Sequence, residues 1–208
     1  MVRKVLILAP HTDDGELGCG GTIAKFLEEG KEVFLIAFST CEDSVPKGMP
    51  EWTLKDELGK STHTLGIKGE NVIALNYKVR HFPENRQPIL DDLIKIGREI
   101  NPNLVFIPSP HDIHQDHSTI AQEAMRAFKH TSILGYELPW NNYTFNNQTF
   151  SIIEERHLEH KLAALACYES QNNRSYFQRD YQYGVCRTHG VQIGEEFAEV
   201  FETIRWVL

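Results

Sequence analysis

The chain has 208 residues, 41% hydrophobic and 24% charged, with 14 Gly and 9 Pro, a composition that excludes collagen-like, low-complexity and wholly disordered chains and suits one domain over 1–208. Lys and Arg number 21 against 29 Asp and Glu, a formal charge of -8. That balance argues against nucleic acid and against a polyanionic membrane surface, both of which reward a basic face.

Residues 3–9 read as a buried strand, 22–29 as a helix ended by Gly30, and 32–39 as a second strand. The βαβ rhythm continues with a helix over 52–65 stopped at Gly66, a strand over 72–77, a helix over 87–100, a strand over 104–108, a helix over 117–129 and a strand over 133–138. This alternation predicts an α/β fold, a Rossmann-like three-layer sandwich with a mostly parallel sheet covered by helices on both faces. Beyond Pro139, 140–148 is rich in Asn and aromatics and reads as a loop or short hairpin near a cleft. Residues 154–168 and 175–187 read as helices, and 197–207 as a last strand or amphipathic element.

The longest apolar runs, 5–9 and 33–38, fall far short of the roughly 18–20 residues of a membrane-spanning helix, and no small-residue cleavage site follows the first. Cys19, Cys41, Cys167 and Cys186 make no CxxC pair and read as free thiols in a reducing compartment, the cytoplasm. No heptad or apolar stripe declares an interface, which leaves a homo-oligomer open.

Two clusters carry chemistry. The first, His11-Thr12-Asp13-Asp14-Gly15-Glu16-Leu17-Gly18-Cys19-Gly20-Gly21-Thr22, follows the first strand, at the carboxyl end where α/β sheets bind ligands. Its glycines do not form GxGxxG, and Asp13, Asp14 and Glu16 would surround a pyrophosphate with like charge. A cation is the better guest. A nitrogen donor from His11 and an oxygen donor from Asp14 suit zinc or another divalent transition metal. The second, His111-Asp112-Ile113-His114-Gln115-Asp116-His117, follows the fourth strand. If the two strands lie near one another, His117 completes a His/Asp/His set with His11 and Asp14, leaving a position for water. An Asp-Asp pair in a turn is by itself commonly a cap, and His157 and His160, among acidic neighbours, read as a solvated, ion-paired face.

The first string together with His114-Gln115-Asp116-His117 resembles the PIG-L (LmbE-like) zinc-dependent N-deacetylases, whose first motif commonly reads HPDDxELGCGGT. The resemblance extends through Leu165 and Ser170-Gln171 to Phe197-Ala198-Glu199. It implies removal of acetyl from an N-acetylglucosamine-type amino sugar or its conjugate, with zinc on His11, Asp14 and His117, Asp13 as general base, and His114 and Asp116 assisting. In that reading His114, oriented by Asp116, is protonated and stabilises the oxyanion. Pro10, Thr12 and Gly15 depart from the family string. Leu54 stands three residues before Glu57 where family members often carry Arg, so Arg80 and Arg86 become candidate substitutes. Tyr136, Glu137, Trp140 and Asn141, after the fifth strand, are candidate sugar contacts, an aromatic face for the ring and polar groups for hydroxyls. Two other classes stay open at this point: a different metallohydrolase such as a phosphoesterase, and a non-catalytic α/β module binding a sugar or nucleotide.

Overall fold

In the computed structural model, which describes residues 2–208, the first apolar run is strand β1 (Lys4–Ala9). Met1, the first residue of the predicted domain, lies outside the described residues. Side chains alternate across a strand, so Val5 and Ile7 enter one core and Leu6 and Leu8 the other. Burial on both faces is why the run is continuously apolar.

The remaining elements in chain order are α1 (Asp14–Glu28), β2 (Glu32–Ala37), α2 (Thr53–Leu65), β3 (Val72–Ala74), α3 (Arg86–Ile100), β4 (Leu104–Pro108), α4 (Gln115–Ala127), β5 (Ser132–Tyr136), β6 (Thr149–Ile153), α5 (Glu155–Leu165), α6 (Arg179–Ile193) and β7 (Phe197–Arg205). Among the described residues the strands form one seven-stranded sheet in the order β3-β2-β1-β4-β5-β7-β6. The first five are parallel, and β7 runs antiparallel to both β5 and β6. Helices α1, α2 and α5 supply Leu17, Leu58 and Leu165 to one core, and α3 and α4 supply Leu93 and Ile120 to the other. The predicted α/β sandwich is therefore the observed one.

Several predicted bounds are corrected. Helix α1 starts at Asp14 and not at 22, taking the glycine-rich string into its first turns. β3 ends at Ala74 and not at 77. Strand β6 was not expected; it is a half-exposed edge strand of five residues, too short for its alternation to stand out beside the Asn-rich loop. The segment 175–187 divides into a single turn at Ser175–Phe177 and helix α6.

The glycines in α1 answer to packing. A Cβ on Gly18 would overlap the ring of Tyr136, and one on Gly20 would stand 2.6 Å from Cγ of Lys161. Lys161 and Glu199 form a buried pair at 2.8 Å that reaches into α1: Lys161 Nζ donates to Leu17 O, and the Glu199 carboxylate accepts from the Gly21 and Thr22 amides. Each charge thus has partners enough to be kept out of water. Helix propensity alone makes Gly→Ala favourable by roughly 1 kcal/mol. Gly18→Ala is expected to do the reverse, lowering unfolding free energy by about 1–3 kcal/mol through overpacking against Tyr136. Urea denaturation checks the sign, and a stabilised variant would refute the packing account.

Candidate metal centre

β1 and β4 are parallel neighbours, with Val5 opposite Leu104 and Ile7 opposite Phe106. The chain leaves β1 for one face of the sheet through α1, and leaves β4 for the other through α4. Their carboxyl ends therefore flank the crevice of a doubly wound sheet, and the two sequence clusters meet there.

The Oδ2 atom of Asp14, in the first turn of α1, lies 3.1 Å from His11 Nδ1 and 3.2 Å from His117 Nε2, and the two ring nitrogens are 3.1 Å apart. Three lone-pair atoms this close are held together either by protons on the rings or by a cation among them. Tetrahedral zinc with bonds of 2.0–2.1 Å separates its ligands by roughly 3.3 Å, so the triangle is close to the right size and its donor set, two imidazoles and a carboxylate, suits the ion. His114 forms a looser group with His11 and His117, each offering an atom within 4.8 Å of the others.

The other nitrogen of each ring is held by a buried carboxylate. His117 Nδ1 is 2.7 Å from Asp112 Oδ2, and His11 Nε2 is 3.1 Å from Asp116 Oδ2. Asp112 also accepts from the His114 amide, and Asp116 from the amides of Arg80 and Phe82. Such carboxylate–histidine pairs fix the tautomer and ring orientation at metal sites.

Charge at the crevice follows from this crowding. Burial disfavours the charged ring of His117, but Asp14 and Asp112 outweigh it and raise its pKa to about 10. Burial opposes ionisation of Asp14 too, yet His117 and His11 hold it well below the usual carboxylate range. Burial and the charge of Asp14 push Asp13 up to about 6. Burial, followed by the charges of His117 and His11, presses His114 down to about 4. His114 caps α4, its Nδ1 accepting from the Asp116 amide at 3.2 Å. This corrects the expected pairing of His114: the Asp116 carboxylate turns to His11, and Asp116 meets His114 through its backbone amide, which leaves Nε2 of that ring free to donate.

A cavity of about 360 Å³ opens over these residues, with His11, Asp13, Asp14, His114 and His117 in its walls. Arg80, Trp140 and Asn141 line it as well. Arg86 does not; its Nε is bonded to Glu123 of α4 at 2.6 Å. Glu137 turns away to His189 Nε2 at 3.0 Å, and Tyr136 is fully buried with its hydroxyl donating to Leu8 O. Of the pair on α5, His160 is exposed, but His157 is buried and bonded to Glu28 at 2.5 Å.

Sequence reasoning gave no role to Asp112, Gln171, Arg174 or Tyr176. Asp112 was visible in the second cluster as an acid five residues before His117. Gln171, Arg174 and Tyr176 also line the cavity, yet they lie in an irregular segment after α5 with no periodicity to announce it. That segment is tied to α2 by Glu57, which accepts from Ser170 N at 2.9 Å and Ser170 Oγ at 2.6 Å.

Residues 6–128 match the family model PIG-L, described as GlcNAc-PI de-N-acetylase. The chain is 30% identical over 175 residues to the uncharacterized deacetylase YaiS of Escherichia coli (strain K12), covering 81% of this chain and 91% of that protein. It is 27% identical over 144 residues to the diacetylchitobiose deacetylase of Thermococcus kodakarensis, covering 65% of this chain and 49% of that protein. The solved structure of N,N'-diacetylchitobiose deacetylase from Pyrococcus horikoshii superposes with a TM-score of 0.83 at 24% identity, over 98% of this chain and 84% of that one. With its sheet order, its two carboxyl-end clusters and well over half its length in agreement, the chain belongs to the PIG-L family.

Proposed function

We propose that this chain is a single-domain, metal-dependent N-deacetylase that releases acetate from an N-acetylglucosamine-type amino sugar or its conjugate, with zinc on His11, Asp14 and His117. The observation that carries this is the convergence of those three donor atoms within 3.1–3.2 Å in the wall of a cavity that also contains Asp13. The deacetylases among its relatives supply the class of scissile bond.

Zinc bound there would polarise the acetyl carbonyl and lower the pKa of water from 15.7 to about 7. Asp13 takes the proton of the attacking water and hands it to the nitrogen as the C–N bond breaks, giving acetate and the free amine. Its neighbour Asp14 points to the histidines, so one carboxylate is a ligand while the other stays free to carry the proton. His114 donates from Nε2 to the oxyanion of the tetrahedral intermediate, a contribution of about 3 kcal/mol for one such donor. Asp116 and Asp112 keep the two ligand rings oriented, and the Trp140 face and the Asn141 amide suit a sugar ring and its hydroxyls.

Acetate release from a panel of N-acetyl amino sugars, with and without chelator, tests the proposal. Release that the chelator abolishes and zinc restores is the expected result. Phosphate release from esters in its place, or binding without turnover and without metal, would establish one of the other two classes. Asp112→Asn is expected to weaken zinc binding by about 10–100-fold with the fold intact, measured by competition with a chromogenic chelator; unchanged affinity would remove Asp112 from the centre. A cytoplasmic location is supported by four free cysteines, and no helix among the described residues is long and apolar enough to cross a membrane.

A further inference from the structure

Two guanidinium groups stand in the cavity wall without a carboxylate in salt-bridge contact, although Arg174 is near enough to Asp13 and Asp14 to feel their charge. Arg80 Nη2 is bonded to Ser44 Oγ at 3.2 Å, and Arg174 Nη1 donates to the Tyr176 hydroxyl. Among the described residues neither has a carboxylate oxygen within 4.0 Å. Of the eight other arginines, Arg86, Arg126, Arg156, Arg179 and Arg187 are each paired with a Glu, and among the described residues Arg3, Arg98 and Arg205 are not. A guanidinium fork matches carboxylate and phosphate oxygens and is left unmatched by a hydroxyl.

Both groups are carried on anchored backbone. Arg80 adopts a left-handed backbone, φ 70°, uncommon for a residue with a Cβ. It is fixed there by its amide on Asp116 at 2.6 Å and by its carbonyl, which accepts from Gln115 Nε2 at 2.8 Å. Arg174 rides on the segment anchored by Glu57, its amide donating to Gln171 O at 3.0 Å. Its acceptor Tyr176 is stacked on Trp140, ring centroids 3.9 Å apart and planes 12° apart. The backbone that carries each cation is thus fixed before any ligand arrives, which lowers part of the ordering cost of binding, while the two side chains are exposed.

We propose that Arg174, together with Arg80, selects amino sugars conjugated to an anionic group, a phosphate or carboxylate, over neutral ones. This rests on the deacetylase reading and narrows its substrate class. The sugar's acetamide occupies the metal centre, and the anion takes the guanidinium donors now spent on neutral hydroxyls.

The test compares acetate release from N-acetylglucosamine 1-phosphate, a carboxylate-bearing N-acetylglucosaminide and N,N'-diacetylchitobiose by the zinc-loaded parent enzyme, Arg174→Gln and Arg80→Gln. Alongside it, N-acetylglucosamine 1-phosphate is titrated calorimetrically into Asp13→Asn protein with and without Arg174→Gln. The parent is expected to favour at least one acidic conjugate by 10-fold or more in kcat/KM, the preferred one separating phosphate from carboxylate. Arg174→Gln should lose about 10–100-fold on that conjugate, mainly through KM, a loss at least ten times greater than on diacetylchitobiose. Equal losses on acidic and neutral substrates would overturn the proposal and make Arg174 a partner of the reaction itself. So would a parent enzyme that prefers the neutral sugar. If no substrate yields acetate, the deacetylase reading fails; the titration then decides the arginine proposal by itself, because binding that Arg174→Gln does not weaken overturns it.

Discussion

Asp13→Asn is expected to keep its zinc and lose about 10²–10⁴-fold in kcat, the range for removing a general base. The Asp13 side chain caps no amide of α1, so the substitution should spare the fold, and it leaves the triangle of His11, Asp14 and His117 intact. The base acts only when ionised, so the rate falls as pH drops through its pKa. In the metal-free protein burial and the charge of Asp14 push that pKa up to about 6. A divalent cation beside Asp14 opposes the second cause, which puts the acid limb of the parent's kcat/KM profile at or below about 6. That limb should vanish from the residual activity of Asp13→Asn. Metal analysis and stopped-time acetate assays across pH check both parts, and a variant retaining more than a tenth of the parent kcat would remove Asp13 from this role.

His11→Ala and His114→Ala should part company on metal content. Losing His11 removes one corner of the donor triangle and leaves the buried Asp116 carboxylate facing an empty space. Because even outer contacts at such sites carry 10–100-fold in affinity, His11→Ala is expected to fall by more than about 100-fold and to emerge from dialysis without metal. His114→Ala should emerge with a full equivalent, turning over about 10²–10³-fold more slowly through loss of the oxyanion donor. Loss of metal from both variants would favour His11, His114 and His117 as the ligand set, and retention by His11→Ala would remove His11 from the centre.

The sheet was legible because β1, β2 and β4 are buried on both faces and so spell nearly unbroken apolar runs. The start of α1 was not. Glycine near a strand end reads as a turn, and only the nearness of Tyr136 and Lys161, both far off in sequence, shows why glycine is wanted inside a helix. The centre was legible from His11, Asp14 and His117 because two dense clusters fell at strand ends. The rest of the cavity wall was not, for a related reason. Arg86 and Glu137 sit in promising places along the chain, but Glu123 and His189 had first claim on them. Arg174 reaches the cavity through Glu57 and the Ser170 loop, a tie between segments 113 residues apart.

The pairing of β1 with β4 has a consequence for the life of the chain before it is finished. Ring nitrogens 3.1 Å apart in space belong to residues separated by 106 positions, and bringing distant segments together is the slow, entropically costly part of folding. On the ribosome no fragment ending before His117 can assemble the proposed centre, so capture of an ion by all three residues would be deferred until His117 has been synthesised and β4 has docked beside β1. Once it occurs, binding only to the folded form adds stability, about 2.7 kcal/mol when free metal is 100 times the dissociation constant. The ion would then fasten the middle of the sheet as well as serve chemistry, and metal starvation should appear first as shortened half-life of newly made protein.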